Sequence, residues 1–344
     1  MTAALVIGIS LAIASGIMNG IFTLPMRYLG AWEWENVWSL FIFVACILLP
    51  AVVLLTTVPG AMHILAAAPV AAERAALLGG FLWGFGAIMF GQCVSALGIA
   101  LANTIVLAVS SCLGSLLPLL LLDPSKLVTA TGHFLMAGTA VAVVGIALCG
   151  RAGFLREREA QGAGAETRTM VGHARPLWVG ILLATGSGIF SAVFNIGYSL
   201  AQPIITTAQK AGLSAVAGAN LVWWLMLGAG AVANLAFCIY LFGKNHSARK
   251  FVRPGGARLY WLAALMGLLW GGSIFVYGSA ATRLGRLGPA IGWPISLAVG
   301  LLVANLAGIF AGEWRNASAA AQRWLRSGIA VLLVAIGLLS WASR

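Results

Sequence analysis

Ten apolar runs, each long enough to cross a bilayer and nearly free of charge in its interior, constrain this chain more than any motif in it. They lie near residues 4–25, 36–57, 75–97, 99–122 and 132–150, and again near 176–200, 216–242, 258–282, 286–312 and 324–342. A helix needs roughly 20 apolar residues to cross a hydrocarbon core of about 30 Å. In lipid it also satisfies its own backbone hydrogen bonds. The expected fold is therefore an all-α integral membrane protein of ten transmembrane helices. Composition excludes the soluble alternative, because a chain with 61% hydrophobic and 8% charged residues cannot cover a water-facing surface. The first run lacks a basic leader and continues past signal-peptide length, so it reads as the first span.

The runs repeat. At a spacing of 172 residues, Ser15, Gly16, Ile17 and Phe22 recur as Ser187, Gly188, Ile189 and Phe194. At a spacing of 187, Gly80, Leu82, Trp83, Gly84, Gly91, Leu97 and Gly98 recur as Gly267, Leu269, Trp270, Gly271, Gly278, Leu284 and Gly285. Residues 1–150 thus read as a first five-helix repeat, 151–175 as a charged cytoplasmic linker loop, and 176–344 as a second five-helix repeat. Five is odd, so the second repeat is expected to lie inverted relative to the first. Inverted repeats are a recurrent plan of secondary transporters.

Positive charge orients the bundle. The connections after odd-numbered spans hold 14 of the 20 basic residues: Arg27, five arginines within 151–175, Lys244, Arg249, Lys250, Arg253, Arg258, Arg315, Arg323 and Arg326. The other face holds Arg74, Lys126, Lys210, Arg283, Arg286 and Arg344. The positive-inside bias places the richer face in the cytoplasm and both termini in the periplasm. The net charge of +12 reads as topology and contact with anionic lipid, and no nucleic-acid partner is expected.

Polar residues at helical spacing within a span should face another helix or a cavity. Ser15, Asn19, Thr23 and Arg27 form such a stripe in the first span, and Ser187, Ser191, Asn195 and Ser199 form one in the sixth, with Tyr198 close by. The two stripes coincide under the repeat. Asn103 adds an amide from the fourth span. Trp83, Trp223, Trp270, Tyr277 and Trp293 lie within span interiors, although tryptophan usually prefers the membrane–water boundary. An indole offers an apolar face and one N–H donor, which suits the C–H face and hydroxyls of a neutral sugar. The expected substrate site is Asn19, Thr23, Trp83, Asn103, Asn195, Tyr198, Trp223, Trp270, Tyr277 and Trp293. Trp32, Trp34, Trp38 and Trp314 are expected in the interface belt, Asn234 and Asn305 as packing residues, and spans five and ten at the periphery or a dimer contact.

No Asp, Glu, Lys or Arg lies near the middle of any span. An anionic substrate would want a buried cation and a cationic one a buried carboxylate, so a small neutral polar substrate is favoured. Coupling to an ion, H+ before Na+, must then use a titratable group near a span end, with Glu35 first, Glu33 or Asp123 next, and His133 as a further candidate. The five cysteines fall inside apolar runs with no metal-ligand spacing, so no metal or cofactor is expected. An embedded enzyme would need a nucleophile and base in one span, and no such set is present. A metabolite or drug exporter is the remaining alternative, and a homodimer is possible.

Five segments in chain order carry a family likeness. They are Trp32-Glu33-Trp34-Glu35-Asn36-Val37-Trp38, Trp83-Gly84-Phe85-Gly86, Arg151-Ala152-Gly153-Phe154-Leu155-Arg156-Glu157-Arg158, Gly188-Ile189-Phe190-Ser191-Ala192 and Glu313-Trp314-Arg315-Asn316-Ala317. Together they resemble the L-rhamnose-proton symporter family of the drug/metabolite transporter superfamily, over essentially the whole chain. The resemblance implies two inverted five-helix repeats, proton-coupled import of L-rhamnose or a related monosaccharide, and a bacterial inner-membrane location. It also supports Glu35, which stands in the family's Trp34-Glu35-x-x-Trp38 setting. The ninth span departs from the family's pattern, carrying Gly292-Trp293-Pro294 in place of a Tyr-Asp pair.

Overall fold

A computed structural model describes residues 3–162, 176–252 and 257–342. Among the described residues there are helices and turns and no strand. Ten helices are long and apolar enough to cross a membrane: Ala3–Met26, Trp34–Thr57, Val70–Val94, Ala96–Leu121, Ala130–Ala160, Leu177–Lys210, Ala215–Asn245, Ala257–Arg283, Gly285–Phe310 and Ala319–Trp341. They are called the first to tenth spans. The protein is a multi-pass membrane protein.

Local chemistry sets several boundaries. Ser214 and Ser318 cap the seventh and tenth spans, their hydroxyls accepting from the Ala217 and Ala321 amides at 3.1 and 3.2 Å, as N-cap serines do. Pro50 has no N–H to give, and the second span widens into a π turn over Phe43–Leu48 just before it, with the Leu49 amide reaching back to the Val44 carbonyl. The third and fourth spans run as one helix, Val70–Leu122, broken only at Gly98 (φ 75°, ψ 164°). Only glycine reaches that conformation cheaply. Its counterpart Gly285, between the eighth and ninth spans, also has φ 75°.

Two helix seams share one kind of packing. The first span lies against the eighth and ninth, and the sixth lies against the third and fourth. A methyl built on Gly16 would stand 2.7 Å from the Ser296 carbonyl and 2.6 Å from Val299. One on Gly188 would stand 3.0 Å from the Val106 carbonyl and 2.7 Å from Val109. Glycine is therefore what lets each pair of helices touch. The second and seventh spans pack together, as do the fifth and tenth. In the last pair Gly138 meets Leu339, Gly145 meets Leu332 and Gly328 meets Cys149. The numbers rise along one helix as they fall along the other, so the two run antiparallel. The expected peripheral pair is thus joined to itself, with Val144, Leu333 and Val334 exposed on its outer faces.

The fifth helix continues to Gly162, so the first part of the expected linker is helical, while 163–175 lie outside the described residues. This projecting end fastens to its surroundings. Glu157 accepts from the Ala100 amide at 3.0 Å and Glu159 from the Ser318 amide at 3.0 Å, at the starts of the fourth and tenth spans. Arg156 pairs with Glu313 at 2.7 Å and lies over the Trp314 ring. Trp32, Trp34 and Trp314, expected in the lipid interface, stand at span ends but are covered by protein, because each packs on a neighbouring helix or loop. Asn305 donates to the Leu301 carbonyl of its own helix.

Candidate functional site

The repeat-related tryptophans meet at the centre. Trp83, midway along the third span, stacks on Trp270, midway along the eighth, with ring centroids 4.9 Å apart and planes 12° from parallel. Both are half-buried. Phe194 of the sixth span joins Trp83 at 5.1 Å, Trp223 at 5.3 Å and Trp293 at 6.4 Å. On the other side Phe41 joins Trp270 at 5.8 Å and Trp38 at 4.9 Å. An aromatic column therefore crosses the bundle between the two halves, with offset and edge contacts of the kind that aromatic rings favour.

One end of this column is closed. Tyr198 stacks on Trp223 at 4.3 Å, with rings 4° from parallel, and Tyr277 meets Trp293 edge-on at 5.4 Å. Asn195 ties the closure together. Its amide nitrogen donates to the carbonyls of Gly114 at 2.8 Å and Pro289 at 3.0 Å, and its oxygen accepts from the Tyr277 hydroxyl. One fully buried side chain of the sixth span thus bridges the fourth, eighth and ninth. Beside it Trp293 donates to Ser110 at 3.2 Å, and Ser110 donates to Ser191 at 2.8 Å. The indole N–H of Trp223 is buried without a partner, a costly state that a ligand or another arrangement of the helices would relieve.

The other end is looser. Asn19 and Asn103 are half-buried, and their amides make no hydrogen bond among the described residues. Thr23, the repeat counterpart of Asn195, is exposed at the end of the first helix and is not brought into the cluster. Trp38 belongs to the column: its N–H donates at 2.9 Å to Asn234, which donates in turn to the Gly84 and Gly230 carbonyls. Asn234 is therefore the packing residue expected from the sequence, and Trp38 is not a belt residue.

Glu35 stands apart from the tryptophan pair, in the first turn of the second span, and is buried at 2% exposure. Its carboxylate accepts from Asn245 Nδ2 at 2.9 Å and Ser247 Oγ at 2.5 Å. Asn36 donates to the Ser247 carbonyl at 3.1 Å, and exposed Glu33 pairs with Lys250 at 2.6 Å. The start of the second span is thus fastened to the end of the seventh. At the opposite face the start of the seventh is fastened to the end of the second, where Asn220 donates to Thr57 at 3.0 Å. Glu35 is the one charged side chain among the buried described residues. Both donors to its carboxylate, Asn245 and Ser247, are neutral.

The sequence reading missed Phe194 and Phe41, which link the tryptophans, and the backbone acceptors Gly114 and Pro289. Phe194 carried a signal, since it matches Phe22 under the repeat; a carbonyl carries none. A groove of about 440 Å³ between the third and seventh spans, lined by Phe81, Phe85, Ile88 and Phe237, faces outward and offers no polar group to a sugar.

The family model described as L-rhamnose-proton symport protein matches residues 1–342 of the chain. Among curated relatives, the L-rhamnose-proton symporter of Salmonella typhi is 27% identical over 351 residues, covering 98% of each chain. The proteins of the same name from Cronobacter sakazakii (strain ATCC BAA-894) and Yersinia pestis (strain Pestoides F) are 28% and 25% identical, again over 98% of each chain.

Proposed function

Because the chain belongs to the L-rhamnose-proton symport protein family, we propose that it carries L-rhamnose, or a closely related neutral monosaccharide, together with a proton by alternating access. The observation that carries this reading is the asymmetry of the central column. Asn195, Tyr198, Trp223 and Tyr277 are buried, while Asn19, Trp83, Trp270 and Asn103 are half-buried. The residue types suit a neutral sugar, indole rings for its C–H bonds and the Asn19 and Asn103 amides for its hydroxyls. Glu35 is the proton carrier in this reading. A carboxylate that is alternately wetted and buried exchanges a proton as the cavity opens and closes.

The two halves act as inverted repeats. The matching seams of the first and sixth spans, the antiparallel fifth and tenth, and the reciprocal ties of the second and seventh support this. The residues 1–150 and 176–344 then exchange conformations around the tryptophan pair. The basic face, which includes Lys244, Arg249 and Lys250, lies in the cytoplasm of a bacterial inner membrane, and both termini lie in the periplasm. Reporter fusions at the C-terminus are expected to be active only outside the cytoplasm, and a cytoplasmic C-terminus overturns the orientation.

Counterflow of labelled L-rhamnose in proteoliposomes, run with and without an imposed pH gradient, tests the function. Exchange without the gradient and accumulation with an acidic exterior are expected. Exchange of no pentose, hexose or 6-deoxyhexose would remove the sugar reading.

A further inference from the structure

The closed end contains a hydroxyl that the open end lacks. Ser110 Oγ sits between Ser191 and Trp293, donating to one and accepting from the other. The matching seams fix its counterpart. Gly16 packs on Ser296 and Val299 as Gly188 packs on Val106 and Val109, so Val109 corresponds to Val299 and the next residue, Ser110, corresponds to Gly300. Trp293, which precedes Ser296 by the same step as Asn103 precedes Val106, corresponds to Asn103. Ser191 likewise corresponds to Asn19. The bonded trio Ser191, Ser110 and Trp293 is therefore matched by Asn19, Gly300 and Asn103, in which the two amides have no hydrogen-bond partner among the described residues and the bridging hydroxyl is absent.

A one-carbon side chain fits at Gly300, beside Asn19. A methyl built on Gly300 would lie 3.6 Å from Asn19 Nδ2 and 3.4 Å from the Gly16 carbonyl, both ordinary contacts. The fourth span packs on the ninth, and the correspondence above sets Asn103 on that side. A carboxamide both donates and accepts, and so does an alcohol, so the place suits a hydroxyl better than an ion or an apolar group.

We propose that a hydroxyl of the transported sugar occupies the place above Gly300, held by the Asn19 and Asn103 amides, and that this contact sets which sugars are accepted. The proposal rests on the reading of the protein as a sugar carrier. It specifies which part of the cavity reads the hydroxyl pattern.

Gly300→Ser tests it directly, because the substituted side chain would supply the missing hydroxyl itself. In the empty full-length protein, the new bond to Asn19 should raise the thermal unfolding temperature by about 2 °C, as expected for one added hydrogen bond in a chain of this size. This measurement needs no substrate, so it stands apart from the identity of the sugar. In labelled L-rhamnose counterflow, Gly300→Ser should raise KM about tenfold with kcat little changed, since a lost hydrogen-bonding place weakens binding by that order. Gly300→Ala, which fills the space without a hydroxyl, should change KM much less. An unfolding temperature that does not rise overturns the proposal. So does an unchanged KM in Gly300→Ser, or an equal rise in Gly300→Ala, which would mean simple crowding.

Discussion

Glu35→Gln is expected to abolish accumulation of sugar against its gradient while leaving sugar exchange close to wild type. Glutamine is isosteric and keeps an oxygen to accept from Asn245 and Ser247, so the fastening of the second span to the seventh survives. What it removes is the exchangeable proton. Glu35 is the one charged side chain buried among the described residues, and the two donors to it are neutral. Imposing an acidic exterior should therefore drive uptake in the wild type and leave the variant at equilibrium. Full accumulation by Glu35→Gln would take Glu35 out of the coupling step. Loss of exchange as well would make it a structural residue, and Glu35→Asp would then show whether the carboxylate or its reach matters.

The second large effect is expected at Asn195. Its amide holds three helices to the sixth span through Gly114, Pro289 and Tyr277, and Asn195→Ala takes the acceptor from the Tyr277 hydroxyl and the side-chain donor from the Gly114 and Pro289 carbonyls, leaving only the 3.4 Å contact of Tyr277 with Pro289. Each buried polar group left unpaired costs about 1–3 kcal/mol. That cost falls on the arrangement in which this end is closed, so the variant should shift toward opening there, at roughly tenfold for every 1.4 kcal/mol. Hydrogen exchange at the start of the ninth span should rise, and sugar uptake should fall by about tenfold or more. Tyr277→Phe, which removes one bond of the three, should show a smaller change in the same direction. Wild-type exchange and uptake in Asn195→Ala would mean that the closure is held elsewhere.

Much of this arrangement was legible in the chain before any coordinates. The spans follow from apolar length alone, since a bilayer allows little else, and the stacking of Trp83 on Trp270 was foreshadowed by their matching places in the repeat. What the sequence could not express was partnership. Asn195 and Tyr277 read as two independent site residues, yet they bind one another, because a spacing along one helix says nothing about which helix lies opposite. Trp34 and Trp38 stand at a span end, where composition favours the interface belt, and the approach of other helices, Phe237 of the seventh span and Gly91 of the third among them, covers Trp34. Glu35 read as a residue at the mouth of a helix. Its burial depends on Asn245 and Ser247, more than 200 residues away.

That single buried carboxylate also sets an energetic ceiling. One proton-binding side chain, with no other charge sunk in the described core, means one elementary charge moved inward with each neutral sugar on the proposed cycle. A membrane potential of 100 mV contributes about 2.3 kcal/mol per charge, which converts at about 1.4 kcal/mol per tenfold to a concentration ratio of about fiftyfold. A cell could therefore concentrate scarce sugar from its surroundings by that factor on voltage alone, and further only as far as its pH difference adds to it. The uptake current should then equal the sugar flux, charge for molecule.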